Sequence, residues 1–225
     1  MSTPILSLSL LVLVSVAFPG QAFRLLLTGA GGPPRPGAVP AAARRFPPEV
    51  GFAVALLAVA ALAVAVTPAG LVVLTTGDPL WYAVAVVLGL AAPFLEYLLG
   101  AGVLLARRQR VGGIGVHERV GLGPLRVLAA LGIAVAEEIL FRSVALGLLL
   151  DPFGLLSPLA IGLTALVYGL NHLYYGWLTV AQKTLTGLWL GALFVLSGHS
   201  LLVPLIAHVV QNLVVLVLLP RWNRP

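Results

Sequence analysis

Apolar residues run along this chain in long unbroken stretches rather than alternating with polar ones. One run begins near Val50 and reaches Leu74, and Leu80–Ala106 contains a single charge, Glu96. About 20 residues of helix cross the roughly 30 Å of hydrocarbon in a bilayer. Lipid offers the backbone no hydrogen-bond partners, so such runs must be helices. The pattern predicts seven spans, over Ile5–Phe23, Val50–Leu74, Leu80–Ala106, Leu125–Leu150, Pro158–Leu178, Thr179–Leu196 and Leu201–Leu219. Barrel strands would show alternation over segments of about 10 residues, and none is evident. The expected fold class is all-α, a polytopic transmembrane helix bundle of about seven spans.

Composition agrees. Of 225 residues, 60% are hydrophobic and 9% charged, against about 25% charged in a soluble domain. There is no cysteine, which excludes disulfides, thiolate catalysis and cysteine-based metal sites. The net charge of +6 is carried between spans, so it gives no reason to expect nucleic acid. Arg24, Arg35, Arg44, Arg45, Arg107, Arg108, Arg110, Arg119, Arg221 and Arg224 all fall on one side of a seven-span arrangement. The other side has Asp78 and Asp151. The positive-inside rule makes the basic side cytoplasmic, with the N-terminus outside and the C-terminus inside. The first run also resembles a signal peptide, but it has no basic leader and cleavage would put four arginines outside. A retained span is expected. The Gly-, Pro- and Ala-rich segment 29–48 reads as a loop. Three regions are expected: residues 1–124 with N-terminal helices and cytoplasmic loops, a catalytic core at 125–219, and a tail at 220–225.

Several of the predicted spans contain residues that lipid disfavours. A charge at the bilayer centre costs about 2.5–3.5 kcal/mol on insertion scales, so it persists only when paired, solvated or useful. The fourth span holds Glu137, Glu138 and Arg142. Glu138 and Arg142 are four apart and share a helix face, which allows an ion pair. Glu137 is turned about 100° away and can face an internal cavity. The fifth span contributes Tyr168 and His172, and the seventh His208 and Asn212, each pair again four apart. Any one set read alone could be polar glue between helices. Together, near one depth, they supply a carboxylate base, two imidazoles and an amide donor. That inventory suits activation of water and stabilisation of an oxyanion. Glu137, His172 and His208 could also hold a divalent ion such as zinc. Glu96 and Lys183, deep in their own spans, are expected to pair with each other or to line a water-filled cavity. Gly187 and Gly191 form a small-x-x-x-small face suited to close helix packing.

At these positions the chain resembles the CPBP family of intramembrane endopeptidases. That family includes type II CAAX prenyl endopeptidases and bacterial bacteriocin-immunity and lysostaphin-resistance relatives. Its Glu-Glu-x-x-x-Arg motif corresponds to Glu137, Glu138 and Arg142. Its Phe-x-x-x-His motif corresponds to Tyr168 and His172, with Tyr in place of Phe. Its His-x-x-x-Asn motif corresponds to His208 and Asn212. Gly187–Gly191 and Ser200–His208 also follow the family pattern, and Ser143 stands where Gly is usual. The resemblance covers roughly Leu125–Leu219. It implies that Glu137 activates water with help from His172, that His208 and Asn212 stabilise the oxyanion, and that Glu138 and Arg142 orient the site. Family members are commonly called metalloproteases, although a glutamate-dependent route without a tightly bound metal is also argued.

The expected activity is therefore hydrolysis of a peptide bond in a membrane-associated protein or peptide. The expected location is a bacterial inner membrane, with lipid and a peptide substrate as partners. Two rivals are a non-proteolytic immunity or scaffold protein and a small transporter. The short length and lack of visible repeats count against the transporter.

Overall fold

The computed structural model describes residues 48–67, 78–109 and 123–219. The first predicted span lies outside them. Among the described residues the regular structure is entirely helical. The α-helices are α1 (Pro48–Val66), α2 (Pro79–Ala106), α3 (Pro124–Glu138), α4 (Gly147–Leu150), α5 (Ser157–Leu170), α6 (Trp177–Leu196) and α7 (Leu202–Leu213). A π-helical stretch, Ile139–Leu146, makes α3 and α4 one continuous rod. A second, Val214–Leu218, extends α7.

Local chemistry explains several boundaries. Proline occupies the first turn of α2, α3 and α5, where a missing N–H costs nothing. The Asp78 carboxylate accepts the Leu80 N–H at 2.9 Å and caps α2. The fifth predicted span was expected to continue to Leu178, but α5 ends at Leu170. There the Asn171 amide donates to the Val167 carbonyl at 3.1 Å, satisfying a helix-end acceptor. A 3-10 turn, Leu173–Tyr175, follows. Gly176, with φ of 95°, then reverses the chain in a conformation that favours glycine.

α2 and α6 are long and apolar enough to cross a membrane, and α1, α5 and α7 are shorter apolar helices. The rod Pro124–Leu150 is roughly 40 Å long at helical rise. Many outward positions are apolar, including Val54, Leu62, Val87, Leu98, Leu159 and Leu196.

Three buried clusters hold the helices together. One joins Leu56, Ala60 and Ala63 of α1 to Ala136, Leu140, Phe141 and Val144 of the rod and to Tyr168 of α5. A second joins Ala85 of α2, Leu190 and Leu193 of α6, and Val203 and Ala207 of α7. A third joins Leu146, Ala160 and Phe194. Close backbone approaches fix two of these contacts. A Cβ on Gly187 would lie 2.8 Å from the Ala165 Cα, so α6 rests directly on α5, as the Gly187/Gly191 spacing leads one to expect. A Cβ on Gly89 would lie 2.5 Å from the Ala207 carbonyl oxygen. That contact seats α2 against α7 one residue before His208.

Candidate active site

Glu137, Glu138 and Arg142 of the rod, Tyr168 of α5, His172 just beyond it and His208 of α7 come together. The two adjacent glutamates sit in different surroundings. The Glu138 side chain is 0% exposed and the Glu137 side chain 16%. One Glu138 oxygen, Oε1, lies 2.8 Å from His208 Nδ1. The other, Oε2, lies 3.2 Å from Arg142 Nε. This is the pair expected from the four-residue spacing. The approach is an ion pair by distance without the alignment of a hydrogen bond, since neither atom satisfies hydrogen-bond geometry. The guanidinium also lies over the Tyr168 ring, with Cζ 4.8 Å from the centroid. That is within the range of a cation–π contact.

Glu137 is less committed. Its Oε2 accepts a hydrogen bond from the Tyr168 hydroxyl at 3.3 Å. The same oxygen lies 3.8 Å from His208 Nε2, beyond hydrogen-bond length. His208 therefore bridges the two carboxylates, bonded to Glu138 through one ring nitrogen and facing Glu137 with the other.

Neighbours also set the histidine tautomers. His172 Nδ1 lies 3.0 Å from the Tyr168 carbonyl. A carbonyl only accepts, so Nδ1 donates and neutral His172 keeps a lone pair on Nε2. His208 Nδ1 donates to Glu138 by the same logic. If His208 is to donate from Nε2 as well, both its nitrogens carry protons, with the two glutamates as counter-charges. His172 stands just past the end of α5 rather than within the helix, because that helix stops at Leu170. Its ring still packs edge-on against Tyr168 at 5.1 Å. Asn212 is on α7 one turn after His208 and half-buried. Its side chain makes no hydrogen bond among the described residues.

Tyr168 is the piece that sequence reasoning undervalued. Treated as a mild replacement for Phe, it is 1% exposed and touches nearly every other site residue. Its ring contacts Phe141, His172 and His208, and its hydroxyl reaches Glu137. A hydroxyl at a position where the family pattern has none was the available signal. Ser143, the other departure, is fully buried, and its hydroxyl has no hydrogen-bond partner among the described residues.

The donor set of Glu137, His172 and His208 has the right chemistry for a divalent ion: two imidazoles with anchored Nδ1 atoms and a carboxylate. Its placement does not fit one. Among the described residues no three His, Asp or Glu side chains are gathered as a metal ion requires.

Glu96 and Lys183 pair with each other, Nζ to Oε1 at 2.8 Å. The same carboxylate oxygen accepts from Thr186 Oγ1 at 2.6 Å and from Gln211 Nε2 at 3.0 Å.

Fold and site together define a class: an all-helical bundle that holds ionisable glutamate, arginine and histidine side chains in an apolar interior. Residues 119–214 match the family model described as type II CAAX prenyl endopeptidase Rce1-like. The resemblance read from the motifs holds, and every motif residue falls within the matched segment. Neither the curated proteins nor the solved structures provide a match to this chain.

Proposed function

We propose that the protein is an intramembrane endopeptidase that hydrolyses a peptide bond in a membrane-associated protein or peptide. The observation that carries this reading is the contrast between the two glutamates. Glu138 is buried and used on both oxygens, while Glu137 is partly open and has one oxygen, Oε1, without a hydrogen bond among the described residues. Two carboxylates would not both be needed to lock helices, since a second buried charge only adds cost. This argues against a purely structural cluster in a non-proteolytic membrane protein.

The mechanism uses this chain's own side chains. Glu137 takes a proton from water as the water oxygen attacks the substrate carbonyl carbon. His172, through its free Nε2, helps hold that water. The carbonyl π-electrons move to oxygen, and the tetrahedral oxyanion accepts hydrogen bonds from His208 and the Asn212 amide. When the intermediate collapses, the C–N bond breaks and Glu137 returns its proton to the departing nitrogen. Glu138 and Arg142 hold His208 and the Tyr168 ring in place. No step is routed through a metal.

The same reading includes the seven-span arrangement, with the N-terminus outside, the C-terminus cytoplasmic, and a bacterial inner membrane as the site of action. The outward leucines and valines support lipid contact, and the exposed Tyr175 and Trp177 at the entry to α6 suit a membrane interface.

The test compares membrane-fraction peptides from cells expressing the protein or Glu137→Gln. A peptide cut only by the native protein is expected, with Glu137→Gln slower by about 10²–10⁴-fold, the usual contribution of a general base. Equal cutting by both would overturn the assignment.

A further inference from the structure

The carboxylate of Glu96 gathers three helices. It comes from α2, outside the segment that matches the family model. Its Oε1 accepts from Lys183 and Thr186 of α6 and from Gln211 of α7. A fourth bond runs from the Gln182 amide to the Glu96 backbone carbonyl at 2.8 Å. Thr186 and Gln211 are buried, at 1% and 2% exposure. Three donors on one oxygen is more than an ion pair needs. Lys183 alone would neutralise the charge.

Gln211 follows His208 by three residues and precedes Asn212 by one. Residues three apart on a helix are neighbours on one side. α7 is thus held at two polar points, His208 to Glu138 of α3 and Gln211 to Glu96 of α2. Between α2 and α7 the backbones already touch at Gly89 and Ala207, which limits translation but leaves rotation about the α7 axis to be set by side chains.

We infer that Glu96 and Gln211 are positioning residues for the hydrolytic site: their hydrogen bond fixes the rotation of α7 so that His208 faces Glu137. This rests on the endopeptidase reading above. The geometry sets the scale. Side chains extend about 5–6 Å from a helix axis, so a 10° turn of α7 moves the His208 ring by about 1 Å. Misplacement by 1 Å costs about 10²-fold in rate.

The experiment uses the full chain in lipid nanodiscs. Hydrolysis is followed with a fluorogenic peptide built on the cut site found with Glu137→Gln. Gln211→Leu keeps the side-chain bulk and removes the hydrogen bond. It is expected to lower kcat by about 10- to 100-fold with KM within about twofold, because binding surfaces are untouched. The imidazole ¹⁵N resonances of His208 are expected to move in the same variant. Glu96→Gln combined with Lys183→Met removes both charges but keeps an acceptor for Thr186 and Gln211. It is expected to keep kcat within about threefold of native, since geometry and not charge is the lever.

Wild-type kcat and unmoved His208 resonances in Gln211→Leu would overturn the inference. A fall in folded yield without change in kcat per folded molecule would also overturn it, by reducing the network to a structural lock. If the native protein cuts no peptide, the endopeptidase reading fails by itself. The His208 resonances then still decide whether Gln211 sets α7.

Discussion

Neutralising each glutamate in turn separates an acting carboxylate from a supporting one by stability as well as by rate. Glu138 is 0% exposed and, among the described residues, is the only carboxylate paired with Arg142, itself 2% exposed. In Glu138→Gln the guanidinium keeps its contacts with the Tyr168 and Phe141 rings but loses its counter-charge. Removing one partner of a buried ion pair costs about 3–5 kcal/mol. Glu137 is different: in Glu137→Gln the amide oxygen can still accept the 3.3 Å hydrogen bond from Tyr168, and at most that one bond, worth about 0.5–1.5 kcal/mol, is lost. The expected order is therefore a large loss of stability with full loss of site geometry for Glu138→Gln, and near-native stability with no hydrolysis for Glu137→Gln. Equilibrium unfolding in mixed detergent micelles measures the first quantity and peptide cleavage the second. The double variant Glu138→Gln with Arg142→Met removes both charges and is expected to recover most of the lost stability while staying inactive. The reasoning fails if Glu137→Gln proves the more destabilising of the two single variants, or if the double variant is no more stable than Glu138→Gln alone.

Other substitutions test separate parts of the structure. Tyr168→Phe keeps the ring contacts and removes only the hydroxyl, so kcat/KM should fall by about 2- to 12-fold, the worth of one hydrogen bond; a loss beyond 100-fold would mean that the hydroxyl takes part in the chemistry. Gly89→Ala puts a methyl against the Ala207 carbonyl oxygen and the Val210 side chain, and should cost about 1–3 kcal/mol of stability and displace His208, read from its ¹⁵N resonances; unaltered resonances would contradict the seating of α7 on α2. Asp78→Ala removes the cap of α2 and should cost about 0.5–2 kcal/mol in the same unfolding assay with cleavage unchanged, so a loss of cleavage per folded molecule would show that the α2 entry reaches the site.

How much of this was legible in the sequence depends on how far each signal reaches along the chain. A charge inside an apolar run is conspicuous by its cost, so Glu137, Glu138, Arg142, His172 and His208 could be found without coordinates. The i,i+4 pairing of Glu138 with Arg142 follows from helix geometry alone. The end of α5 did not, because the run through Leu178 is mostly apolar while the helix stops at Leu170, where the Asn171 amide and then a glycine turn take over. Nor did local spacing reveal which glutamate His208 would bond. That choice depends on how α7 rotates against α3, a contact between residues 70 apart. The same limit hid Gln211, which looks like one more polar residue beside Asn212 until Glu96, 115 residues away in the chain, comes up against it. Here the polar residues could be named from cost and the Glu138–Arg142 pair from spacing, but their partners on other helices could not. Rotation of a helix about its axis decides whether a carboxylate is consumed by a neighbour or left open. In this bundle that rotation is held by side chains from helices on both sides of α7, and one of those helices lies outside the segment that carries the family motifs.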